Sequence, residues 1–214
     1  MIKTTLIGYG QIQTKNLITY IERLDAHLDS YYPNILWNVL YENGTTVQTL
    51  LDKLEDKVFI HHPNIVFINL SSAQMKPDSQ GYMPITTYKE VLNELLEKIH
   101  KHNNRTGLNG CHPIPIVITP PPILPELAQQ DFNNKVLLEY RNAIEEIVLE
   151  WNGVLLDLFT YLSKKSSYKE YMNGLVLNQT GQDLLYDLVF LEMTKLINYQ
   201  GVLKDRDEVY EDEE

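Results

Sequence analysis

Pro63-Asn64-Ile65-Val66-Phe67-Ile68-Asn69-Leu70-Ser71-Ser72-Ala73-Gln74 decides the architecture. Six residues, Ile65–Leu70, form an apolar run too short for a helix and rich in β-branched side chains. Turn formers bound it on both sides. Such a run reads as a strand buried on both faces, the habit of parallel sheets. Working outward, Ile2–Ile7, Ile35–Leu40 and Ile114–Thr119 repeat the pattern, and Val154–Leu158 gives a fifth strand.

Helical patterns lie between the runs. Leu17, Ile18, Ile21, Leu24 and Leu28 are at helical spacing in Thr14–Leu28, and Val47, Leu50, Leu51 and Leu54 share a face in Thr45–Leu54. Thr87–His102 carries Val91, Leu92, Leu95, Leu96 and Ile99, and Glu90 stands three residues after Thr87 in the spacing of a capping box. Val136–Trp151 and Gly181–Leu196 complete the set. Alternating strands and helices call for a mostly parallel sheet covered on both faces. The expected fold is a three-layer α/β/α sandwich around a five-stranded parallel sheet of order 2-1-3-4-5, a flavodoxin-like arrangement.

The 214 residues suit one domain, taken as 1–200. Residues 201–214 read as a solvated acidic tail: between Leu203 and Glu214, seven carboxylates against Lys204 and Arg206 leave a net charge of −5. The whole chain carries −11, which argues against a nucleic-acid partner. No basic amphipathic stretch suits an anionic membrane, and no run approaches the ~20 apolar residues of a span. Cys111 has no second cysteine to pair with. A soluble cytoplasmic protein is the expectation.

Function in an open parallel sheet collects in the loops at the carboxyl ends of the strands. These are Gly8–Gln13, Tyr41–Thr46, Ser71–Pro84, Pro120–Pro125 and Met172–Gly181. Gly8-Tyr9-Gly10-Gln11-Ile12-Gln13 has two of the three glycines of a dinucleotide fingerprint, with Glu42 where a ribose-binding acid would sit. Gln13 replaces the third glycine, so nucleotide binding is a third reading only.

Together the five loops resemble the blocks of the SGNH (GDSL-like) hydrolases. Asn43-Gly44-Thr45-Thr46 is similar to the second block, and the Pro63–Gln74 stretch to the third. Ile116-Val117-Ile118-Thr119-Pro120-Pro121-Pro122 resembles the strand and proline-rich loop before the fourth helix. Tyr171-Met172-Asn173-Gly174-Leu175-Val176-Leu177-Asn178, followed by Gly181, resembles the last block. The resemblance implies the same fold from Met1 to about Tyr199. It places the serine nucleophile on Gly10, the oxyanion-hole glycine on Gly44, the oxyanion-hole asparagine on Ala73, the orienting acid on Asn173 and the histidine on Val176. Only Gly44 is kept, while Gly8, Gly44 and Gly181, which serve the turns, persist.

Acyl transfer needs a nucleophile, a base and donors where charge develops. The resemblance, so depleted, implies a catalytically inactive domain, a pseudoenzyme kept to bind a partner protein or a small polar ligand such as a sugar. Tyr9, Gln11, Gly44, Gln74 and Tyr82 are the ligand-binding candidates. The alternative is a slow or unusual ester or acyl hydrolase with a relocated nucleophile at Ser71, Ser72 or Tyr9, the other reading of the two serines being turn chemistry. No cofactor is expected and no metal: His61 and His62 are adjacent, and His100 and His102 do not share a helix face. With His112 they precede strands, so they are expected at the opposite edge of the sheet, exposed to solvent.

Overall fold

The computed structural model describes residues 2–8, 17–31, 35–41, 46–102 and 112–195. The acidic segment and the boundary at residue 200 lie outside them. The parallel sheet contains β1 (Ile2–Gly8), β2 (Ile35–Tyr41), β3 (Ile65–Asn69), β4 (Ile114–Ile118) and β5 (Val154–Leu156), in the order β2-β1-β3-β4-β5. The helices are α1 (Tyr20–Tyr31), α2 (Val47–Asp52), α3 (Ile85–Lys101), α4 (Asn134–Glu150), α5 (Leu158–Ser163) and α6 (Gln179–Lys195). Between α5 and α6 lies a two-stranded hairpin, β6 (Met172–Asn173) and β7 (Val176–Leu177).

Strand periodicity builds the three layers. Ile65 and Phe67 of β3 and Ile116 and Ile118 of β4 pack with Leu24 and Leu28 of α1 and Leu185, Val189 and Met193 of α6. The alternate residues Val66, Ile68 and Val117 join Leu50 of α2, Leu92, Leu95 and Leu96 of α3, and Ile144 and Val148 of α4. Each such side chain, fully withdrawn from water, contributes about 1.5–3 kcal/mol before the cost of chain ordering. Among the described residues, no helix is long and apolar enough to cross a membrane.

Several boundaries depart from the sequence expectation for local reasons. Helix α1 starts at Tyr20 because Thr19 and Glu22 cap it reciprocally: Thr19 N donates to Glu22 Oε2 at 2.7 Å and Glu22 N to Thr19 Oγ1 at 3.3 Å. Helix α3 starts at Ile85, so Thr87 is not its cap. Pro84 precedes it, with φ −54° and no N–H to leave unpaired. After α2 the chain widens into a π turn, Leu54–Val58, and then tightens into a 3₁₀ turn, Phe59–His61. Strand β5 stops at Leu156 because Asp157 caps α5, its carboxylate accepting from Thr160 N at 3.0 Å.

Candidate functional site

β1 pairs with β2 on one side and β3 on the other, so the strand order reverses at β1, and such switch points open a crevice at the carboxyl edge. Gly8 stands opposite Asn69 there. Gly10, Tyr9, Gln11 and Gly44 fall outside the described residues. The remaining candidates are built by the loop after β3, the ends of β4 and β5, and the hairpin before α6.

The loop 71–84 is stitched down. Ser71 Oγ accepts from Ala73 N at 3.1 Å and starts a 3₁₀ turn, Ser72–Met75. Both serines are buried, at 7% and 5% exposure, and Ser71 caps the turn, in keeping with turn chemistry. Gln74 stands on no rim. It is 4% exposed, its Oε1 accepts from Val47 N at 2.8 Å, and its carbonyl accepts from Met83 N at 2.9 Å. The amide therefore satisfies a donor at the start of α2 that would otherwise be buried and unpaired. Tyr140 Oη donates to the Met83 carbonyl at 2.8 Å. Gly81 closes the loop at φ +96°, where an added Cβ would sit 2.9 Å from Thr46 Cγ2.

Tyr82 is exposed within this loop and is the one described ligand candidate with a solvent-facing side chain. Burial, then the nearby Tyr82, push the Tyr140 hydroxyl up to about 12, so Tyr140 stays a neutral donor near neutral pH.

Sequence reasoning missed a polar cluster at the ends of β4 and β5. Asp157 takes Arg141 Nε at 2.7 Å and Thr119 Oγ1 at 3.3 Å, and the buried Thr119 hydroxyl accepts from Phe159 N at 3.0 Å. Arg141 also pairs with Glu145. Burial works to raise the Asp157 pKa, but hydrogen bonds from Arg141 and Thr160 outweigh it and hold the carboxyl below the usual range. A carboxylate so firmly ionised and so fully engaged is a poor general acid or base. The available signal was Asp157 itself, an N-cap residue ahead of Leu158 and Phe159.

The segment that the motif resemblance aligns with the acid and the histidine is the hairpin. Asn173 pairs directly with Val176 across a two-residue turn whose first member, Gly174, has φ +66°. Asn173 is exposed and Val176 half-buried. Met172 and Leu177 belong to the core under α1 and α6, whereas Leu175 at the tip packs against the core on the other face. The hairpin thus straddles the sheet edge on apolar contacts. Asn178 fastens its base, donating to the Glu170 carbonyl at 2.8 Å and accepting from Gly181 N at 3.1 Å. A Cβ on Gly181 would collide with the Tyr171 carbonyl and Leu177.

The histidines lie elsewhere. His61, in the 3₁₀ turn, and His62, left-handed at φ 48°, precede β3, and His100, His102 and His112 gather before β4. His61 and His62 are therefore not in extended chain. His27 on α1 stacks with Phe190 of α6 at 4.6 Å. Full solvent exposure is corrected for His102, whose Nε2 is buried.

No family model matches the chain, and no curated protein matches it. Solved structures do. A lipase/acylhydrolase from Enterococcus faecalis superposes with a TM-score of 0.71 at 19% identity, over 90% of this chain and 95% of that one. The acetyl xylan esterase AlAXEase gives 0.72 at 18%, over 89% and 99%. An acetylxylan esterase from Geobacillus stearothermophilus gives 0.67 at 16%, over 89% and 93%. The fold is that of the SGNH hydrolases. Identities this low carry the fold and not the activity. Among structures of the Geobacillus enzyme are catalytic mutants with alanine in place of a serine or a histidine.

Proposed function

We propose that this SGNH-type domain is catalytically inert and binds a partner protein or a small polar ligand. The observation that carries the reading is the hairpin. Where the resemblance aligns the acid and the base, Asn173 and Val176 are paired neighbours with no titratable side chain between them. Ala73 offers no side-chain donor at the oxyanion position, and by sequence Gly10 offers no nucleophile. Loss of the nucleophile or histidine from such a unit costs on the order of 10⁶ in turnover, and loss of one oxyanion donor about 10²–10³. These costs do not add, but loss of the nucleophile or of the histidine alone suffices to end ordinary turnover. The relocated-nucleophile alternative is not favoured, since Ser71 is buried in a turn and no described histidine belongs to a loop at that edge.

Two of the structural neighbours are esterases of acetylated xylan, so xylo-oligosaccharides are the first ligand class to offer. The deciding assay is hydrolysis of p-nitrophenyl acetate and butyrate, with fluorophosphonate labelling, on wild type and the Ser71→Ala/Ser72→Ala double variant. Neither protein should turn over ester above buffer or take the label. Turnover that vanishes in the double variant would establish a relocated nucleophile and end this reading. A thermal shift with xylo-oligosaccharides would assign a sugar ligand, and none would turn the search to protein partners.

A further inference from the structure

Five of the six histidines lie at the amino edge, away from the candidate site, and His112 contacts both His100 and His102 there. His102 caps the C-terminus of α3, its N–H reaching the Ile99 carbonyl. Its ring lies flat on Phe59 of the 3₁₀ turn, with centroids 3.8 Å apart and planes 5° from parallel. Although the residue as a whole is only half-buried, Nε2 is sealed from solvent and has no hydrogen-bond partner. His112, at the entrance to β4, contacts the His102 carbonyl through Nδ1 at 3.2 Å, and its ring stacks on His100 at 5.3 Å. His100 in turn lies 5.5 Å from Trp151. One ring stack therefore joins the end of α3 to the α2–β3 connection, and a second joins it to β4.

We propose that this cluster is an acid-sensitive joint: protonating His102 detaches its ring from Phe59 and loosens the C-terminal end of α3 from the turns Leu54–Val58 and Phe59–His61. The neutral ring suits the site. A proton on the buried ring would leave a charged N–H without an acceptor, a cost that exceeds the modest cation–π gain from Phe59. The surrounding charges divide. Glu55 from the π turn favours the imidazolium, while His62 and His112 oppose it. Along α3, Glu94 and Glu97 are offset by Lys98 and Lys101 in the same groove. Burial outweighs Glu55, and the His102 pKa lies below the ordinary 6.5.

A base with its folded pKa lowered binds fewer protons folded than unfolded. Its contribution is complete above pH 6.5 and falls away as the pH drops through the folded value. The folding constant loses up to about tenfold for every pH unit that separates the folded and unfolded values. His102→Phe keeps the flat stack and cannot charge. Thermal unfolding of the whole chain between about pH 7.5 and about pH 5.5 should show wild type losing melting temperature faster than this variant. In wild type, amide exchange corrected for intrinsic rates should accelerate over the last turn of α3 more than over its first. Equal acid slopes in the two proteins would overturn the proposal. So would an NMR titration of wild type placing the His102 imidazole at or above 6.5, a result that needs no variant to fold.

Discussion

Helix α3 buries a polar atom without a partner near each of its ends, the Tyr88 hydroxyl in its first turn and His102 Nε2 at its C-cap. The Tyr88 ring is wholly inside, edge-on to Tyr140 at 5.2 Å, and burial drives its pKa far above any pH the protein meets. Burial also disfavours charge on His102, holding its pKa below the ordinary value. The same kind of defect is inert at one end and responsive at the other, because a phenol starts far above neutral pH and an imidazole starts beside it. The two edges of the sheet differ in parallel. At the carboxyl edge Ser71, Gln74 and Asp157 cap helices and clamp loops, and at the amino edge described histidines are joined by ring stacks.

If the carboxyl-edge groups are structural, removing one should cost stability at every pH where it is charged. Asp157→Ala takes away the cap of α5 and leaves Arg141 with Glu145 as its remaining carboxylate beside the Asn142 amide oxygen, and it should cost about 2–3 kcal/mol in denaturant unfolding near neutral pH. The sign of its pH dependence is fixed. Because the folded pKa is lowered, the contribution is present above the ordinary 3.8 and disappears as pH falls through the lower folded value. Wild type and variant should therefore converge at strongly acid pH. A gap that persists there would mean that packing, not charge, makes the difference.

Gln74→Leu asks the same of the loop after β3. It keeps the bulk and removes the acceptor for Val47 N, so a buried donor at the start of α2 goes unpaired, at a cost of about 1–2 kcal/mol. The cost should show as lower melting temperature together with faster amide exchange at Val47. A Gln74 that instead served as a ligand contact at the rim would leave stability unchanged and weaken ligand binding.

The sheet could be read from the sequence because β3 and β4 are dominated by Ile and Val with only Asn69 and Pro115 breaking the pattern, and a strand buried on both faces has few other ways to be written. What escaped were short elements fixed by single polar residues. Asp157 ends β5 and begins α5 in one step, and a two-residue ladder such as Asn173–Val176 has too few residues to show a period. Gln74 looked like a ligand group because sequence gives its type and not its direction. Only the path of α2 brings Val47 N to its carboxamide. The histidines' place at the amino edge followed from strand order, but the flat stack of His102 on Phe59 depends on the π and 3₁₀ turns, which no propensity announces.

The smallest effect sharpens the comparison between the ends of α3. Tyr88→Phe removes a hydroxyl that makes no hydrogen bond and leaves the edge-on contact with Tyr140 in place. In the folded state the hydroxyl has lost its water without compensation, whereas in the unfolded chain it is solvated. Deleting it should therefore be neutral or raise stability, by up to about 1 kcal/mol. The gain should be flat from acid to neutral pH, since the phenol does not ionise in that range. Set beside His102→Phe, whose benefit should grow as pH falls, it separates a desolvated group that cannot titrate from one that can. A loss of stability in Tyr88→Phe would mean that the hydroxyl finds a partner in solution, and the two ends of α3 would then differ in kind.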